Sequence, residues 1–133
     1  LDYERRSHAK HCLMCHLIFV CKYRHRVLSL LGNEIKALMH EIADENSFSI
    51  LEVETDNDHI HLLVRYSPAQ SILQLVRLLK QISTYRIWRQ NGNAKILRRY
   101  FWKENTLWSR GYFACSVGQA SKDTIEKYIQ SQG

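Results

Sequence analysis

The chain has 133 residues, 45% of them hydrophobic, which amounts to one domain with ample material for a core and excludes a disordered chain. With 19 Lys and Arg against 13 Asp and Glu, the formal charge is +6 and the pI is near 9.3, a balance that favours phosphate-rich partners without naming one. No apolar run approaches the roughly 20 residues of a membrane span and no signal-peptide pattern opens the chain, so the expected location is cytoplasmic; the start at Leu1 suggests residues missing ahead of it.

Residues 11–23 are almost continuously apolar and read as a buried strand. Cys12 and Cys15, with His11 and His16 beside them, resemble half of a metal site. Residues three apart in a strand point to opposite faces, however, and Cys115 stands alone where a second ligand pair would be needed. Cys12, Cys15, Cys21 and Cys115 are therefore expected to be reduced, buried and structural. The basic cluster Lys22-Tyr23-Arg24-His25-Arg26 follows, suited either to phosphate contact or to a solvated loop.

Leu31, Ile35, Leu38, Met39 and Ile42 recur at helical spacing, which predicts an amphipathic helix over 29–45, closed near Asn46. A strand over 48–55 comes next. The stretch 59–66 is a second and more regular strand, ended by Ser67-Pro68. Its alternation places Ile60, Leu62, Val64 and Tyr66 on one face and His59, His61, Leu63 and Arg65 on the other. At about 3.3 Å per residue the two histidine Cα atoms lie roughly 6.6 Å apart, a span that two imidazoles can close onto one divalent ion. Asp56 and Asp58 just before them are suited to orient a ring nitrogen.

A longer helix is expected over 70–90, with Ile72, Leu75, Val76 and Leu79 inward and the pairs Arg77/Lys80 and Arg86/Arg89 facing solvent or a polyanion. Residues 91–105 read as a basic loop with some helical character, carrying the aromatic run Tyr100-Phe101-Trp102, which suits a core better than a stacking platform. A strand returns over 107–117. Gly118 breaks it, Ser121 offers an N-cap, and a last helix is predicted over 122–132. On that helix Tyr128 and Gln132 are only about 40° apart around the axis, so a hydroxyl and an amide face one place. The order strand, helix, strand, strand, helix, strand, helix predicts a single α+β domain over 1–133 of ferredoxin-like, RRM-like type. It has an antiparallel sheet, helices on one face, a C-terminal helix that carries the chemistry, and the histidine-bearing face left open.

Taken together, Lys22-Tyr23-Arg24, Asp58-His59-Ile60-His61-Leu62-Leu63, Lys80, Leu107-Trp108, Gly111-Tyr112-Phe113, Val117-Gly118 and Tyr128-Ile129-Gln130-Ser131-Gln132 resemble the HUH-type single-tyrosine transposases of small bacterial and archaeal insertion sequences. The likeness runs nearly the whole chain; Gln81 departs from it, since the family often has glycine after the helix lysine. The resemblance implies a DNA strand transferase acting on single-stranded ends that fold into hairpins. Tyr128 would be the nucleophile that forms a 5′-phosphotyrosine, and His59, His61 and Gln132 would hold Mg²⁺ or Mn²⁺. Lys22, Arg24, Arg77 and Lys80 would contact DNA. It also implies a homodimer in which the histidines of one chain meet the tyrosine helix of the other. Two alternatives stand beside it, a non-catalytic module for single-stranded nucleic acid and a domesticated single-tyrosine nuclease acting on chromosomal repeats.

Overall fold

The computed structural model describes residues 13–117 and 122–132. Along them run β1 (Leu13–Val20), a 3-10 turn (Lys22–Arg24), α1 (Leu28–Glu45), β2 (Ser49–Thr55), β3 (His59–Tyr66), α2 (Ile72–Trp88), α3 (Asn91–Tyr100), β4 (Phe113–Ser116) and α4 (Lys122–Ser131). The strands form one antiparallel sheet in the order β2-β3-β1-β4. This is the expected ferredoxin-like arrangement, in which β1 and β3 are central and the helical crossovers lie across one face.

Strand alternation decides what each sheet face carries. Leu17 and Phe19 of β1 and Ile60, Leu62 and Val64 of β3 are fully buried and share one core with the apolar stripes of α1 and α2. On α1 that stripe is Leu31, Ile35, Leu38, Met39 and Ile42, as the spacing predicts. Helix α2 begins in a capping box, Ser71 accepting from the Gln74 amide while the Gln74 side chain accepts from the Ser71 amide. Its Arg86, expected to face solvent or a polyanion, instead joins the two helices through Glu41 and Glu45 of α1, each at 2.7 Å.

The opposite face holds His16, Ile18 and Val20 of β1, with His61 directly across from Ile18 and His59 across from Val20. Ile18 and Val20 are nevertheless fully buried, because α4 packs against β1. The face expected to be open is thus partly roofed by the chain's own last helix.

Several boundaries differ from the sequence reading for physical reasons. Residues 91–100 form a full helix rather than a basic loop, since Ala94 and Leu97 bury one side of it while Lys95, Arg98 and Arg99 disguise the periodicity. Phe101 is buried, but Trp102 is 72% exposed with the Lys103 ammonium 4.6 Å from its ring centre, so that aromatic run is not wholly core. The last strand begins at Phe113 rather than near 107. Before it, the carbonyls of residues 109–111 bond the Lys80 side chain instead of a strand neighbour. Cys15 and Cys21 are free and buried as expected, whereas Cys115 is only half-buried; burial pushes the Cys15 thiol up to about 11, which makes it unreactive. Cys12, His11, Gly118 and Ser121 lie outside the described residues.

Candidate active site

The site begins at the turn joining β2 to β3. The Asp56 amide donates to the His59 carbonyl at 2.9 Å, and the Asn57 and Asp58 carbonyls accept from Leu28 and Cys21 at 3.0 and 2.8 Å. The turn is therefore fixed to the start of α1 and the end of β1. From it Asp58 Oδ1 reaches His59 Nδ1 at 3.0 Å and Asp58 Oδ2 reaches Arg24 Nε at 3.1 Å. Burial raises the Asp58 pKa, but the bonds from His59 and Arg24 outweigh it and hold the carboxyl below its ordinary value. An ionised carboxylate only accepts, so His59 donates through Nδ1 and, when neutral, keeps its Nε2 lone pair free. Tyr23 and Arg24 reach their positions with positive φ, 60° and 53°, a strained backbone for side chains with a Cβ. From that backbone the Arg24 side chain reaches Asp58.

His61 lies two residues on, on the same face. Its Nε2 is 2.9 Å from His16 Nδ1, and Glu54 sits beside it in register on β2. Burial, and next the neighbouring His16, lower the His61 pKa, which favours the neutral imidazole that a metal needs. The histidines open on a cleft of about 990 Å³ whose lining includes Arg24, Glu54, Asp58, Glu126, Ile129 and Gln130. Tyr128 and Gln132 are not among its described lining residues.

They are together elsewhere. The Tyr128 ring stacks on Phe113 of β4, centroids 5.6 Å apart, and a Cβ at Gly111 would lie 3.5 Å from the Tyr128 hydroxyl and 3.6 Å from Gln132 Oε1. The shared direction of hydroxyl and amide expected from their spacing is thus observed. Strand β1 lies between β3 and β4, and two strand spacings amount to about 10 Å. Within one chain the tyrosine–glutamine pair therefore lies to one side of the histidine pair. Tyr128 is buried enough for its pKa to be pushed up to about 12, and its hydroxyl has no hydrogen-bond partner among the described residues.

Imidazole nitrogens and an amide oxygen are donors chemically suited to Mn²⁺, and less so to Mg²⁺, which prefers oxygen donors. Among the described residues no group of three His, Cys, Asp or Glu side chains converges on one point, so a cation here would need Gln132 or another donor to complete its shell.

The basic residues singled out for DNA divide. Lys22 is paired with Glu104 at 2.9 Å, and Arg24 with Asp58. Lys80, expected on the surface, instead spends its three donors on the carbonyls of Ser109, Arg110 and Gly111 at 2.8, 3.2 and 3.0 Å. It is a tether for the segment under Tyr128. Arg77 is exposed and lines a groove of about 1010 Å³ with Tyr85, Trp88 and Arg110. The sequence reading gave no functional role to His16; its signal was a polar residue in an apolar strand, at even spacing from Ile18 and Val20.

Solved structures define the class first. The fold matches a crystal structure assigned as a transposase from Deinococcus radiodurans R1 with a TM-score of 0.81 and 29% identity, over 92% of each chain. It also matches a REP-associated tyrosine transposase bound to a REP hairpin, with a TM-score of 0.52 and 10% identity over 90% of this chain and 64% of that one, a likeness of fold alone. The family follows from sequence. Residues 9–132 match the family described as IS200-like transposase, so the chain belongs to it. Relatives include the ISDra2 transposase TnpA of Deinococcus radiodurans, 34% identical over 88% of this chain and 81% of that protein. The transposase of insertion sequence IS200 from Salmonella typhimurium is 27% identical over 98% and 84%. The chain is a transposase of the IS200 type, and so a DNA-processing enzyme. No helix among the described residues is long and apolar enough to cross a membrane.

Proposed function

We propose that this transposase cuts and rejoins single-stranded DNA at hairpin-bearing insertion-sequence ends through a covalent 5′-phosphotyrosine. The observation that carries the reading is that His59 and His61 share a sheet face with the helix bearing Tyr128 and Gln132, in a chain of the IS200-like family.

Tyr128 is the nucleophile: its hydroxyl oxygen bonds to phosphorus, the phosphorus–O3′ bond breaks, and the released 3′ oxygen takes up a proton. His59, His61 and Gln132 would hold Mg²⁺ or Mn²⁺, which when bound neutralises phosphoryl charge and orients the scissile group. Asp58 holds the His59 ring so that Nε2 stays available. Arg24, Lys22 and Arg77 supply positive charge along the approach. The covalent bond stores the phosphodiester's energy, so rejoining to another 3′-hydroxyl reverses the step without ATP. A homodimer completes the site, the tyrosine helix of one chain serving the histidines of its partner.

The test is incubation of the protein with end-labelled hairpin DNA and Mn²⁺, followed by a denaturing gel. A labelled protein–DNA adduct is expected from the wild type. Tyr128→Phe, which keeps the ring, should bind the hairpin and form no adduct, whereas adduct from that variant rejects the nucleophile. Full cleavage by His59→Ala or His61→Ala, or in EDTA, rejects the metal.

A further inference from the structure

His16 is the nearest polar group to a proposed metal ligand that the mechanism leaves unused. It projects from β1, two residues before Ile18, the residue in register with His61, and the two imidazoles therefore meet diagonally across the strand pair. Their ring centroids are 5.1 Å apart with the planes tilted by 36°, and His61 Nε2 lies 2.9 Å from His16 Nδ1. Ile18 beside it is fully buried, β4 runs along the other flank of β1 with Cys115 opposite His16, and His16 itself is half-buried.

A neutral imidazole has one N–H and one free lone pair. A cation needs the lone pair, so the nitrogen engaged by a neighbour must be the one that carries hydrogen. On β3 this already holds for His59, whose Nδ1–H is bonded by Asp58. We infer that His16 is the corresponding positioning residue for His61: its Nδ1 accepts the His61 Nε2–H, which fixes the ring plane and leaves His61 Nδ1 as the nitrogen for the cation. The two histidines then present different atoms, Nε2 from His59 and Nδ1 from His61. One is held by a carboxylate and the other by an imidazole. The inference rests on the metal-holding role proposed for His61, but the hydrogen bond itself exists without metal and can be read without it.

The experiment uses the full chain and two variants: His16→Phe keeps the ring volume and loses the acceptor, and His16→Asn keeps a polar atom close to where Nδ1 stands. Long-range proton–nitrogen spectra of the metal-free wild type should show His61 protonated at Nε2, and protonation at Nδ1 instead would overturn the inference. Calorimetric titration with Mn²⁺ in the absence of DNA should show His16→Phe weakened by about 10-fold or more, with much of the affinity recovered in His16→Asn and melting temperatures close to wild type. Wild-type affinity in His16→Phe, or tighter binding, would overturn it. If the wild type itself binds no Mn²⁺, the metal reading fails, and the metal-free spectrum still decides whether His16 holds His61.

Discussion

The Tyr128 ring lies against Phe113 with the planes tilted by 46°, and its buried hydroxyl has no hydrogen-bond partner among the described residues. Burial also holds the phenol protonated, with a pKa pushed up to about 12. Because only the oxygen that loses its proton attacks well, adduct formation should climb steadily from about pH 7 to about pH 9. The measurement is the initial rate on denaturing gels, and a plateau already reached below neutral pH would assign proton removal to a different, more acidic group.

The separation of Tyr128 from the histidines by the width of β1 bears on assembly. If sites are shared between protomers, mixing inactive His61→Ala with inactive Tyr128→Phe should restore cleavage to a fraction of wild type. In such a mixed dimer one intact histidine pair faces one intact tyrosine. Persistent inactivity, once subunit exchange has been verified by mass, would mean that each chain must bring its own tyrosine across to β3.

Lys80 gives a stability prediction. Its ammonium is partly buried, which lowers its pKa, yet three carbonyls converge on it and favour the charged form. Lys80→Met keeps the stem and strands those carbonyls, at an expected cost of about 2–4 kcal/mol in denaturant unfolding. Lys80→Arg should not rescue it, because a flat guanidinium does not match three carbonyls gathered around a point charge. An unchanged unfolding midpoint in Lys80→Met would show the tether to be dispensable.

Gly32 lies in α1 where it crosses β2, and a Cβ there would come within 2.7 Å of Thr55 Oγ1. Gly32→Ala alone should destabilise by about 1–2 kcal/mol, overpacking outweighing the gain in helix propensity. In a Thr55→Ala background the same change should become stabilising by up to about 1 kcal/mol. A double-mutant cycle that shows no coupling would contradict the close approach.

Much of this protein was legible in its residues. The two-residue period of 59–66 set which side of β3 is apolar and which carries His59 and His61, and the 3.6-residue period set the buried stripes of α1 and α2 and the common direction of Tyr128 and Gln132. These are local consequences of backbone geometry, in which side-chain direction repeats with the chain. Even the family could be recognised from the order of those motifs. What the sequence could not carry was anything that depends on two distant segments meeting. That Lys80 tethers residues 109–111 follows from where that segment passes, 29 to 31 positions away. That His16 holds His61 follows from the register of β1 on β3, 45 positions apart. That Tyr128 settles by Phe113 rather than over the histidines follows from the strand order, which puts β1 between them. Periodicity fixes a direction relative to the chain itself, whereas the partner found in that direction is chosen by packing, and packing belongs to the whole fold.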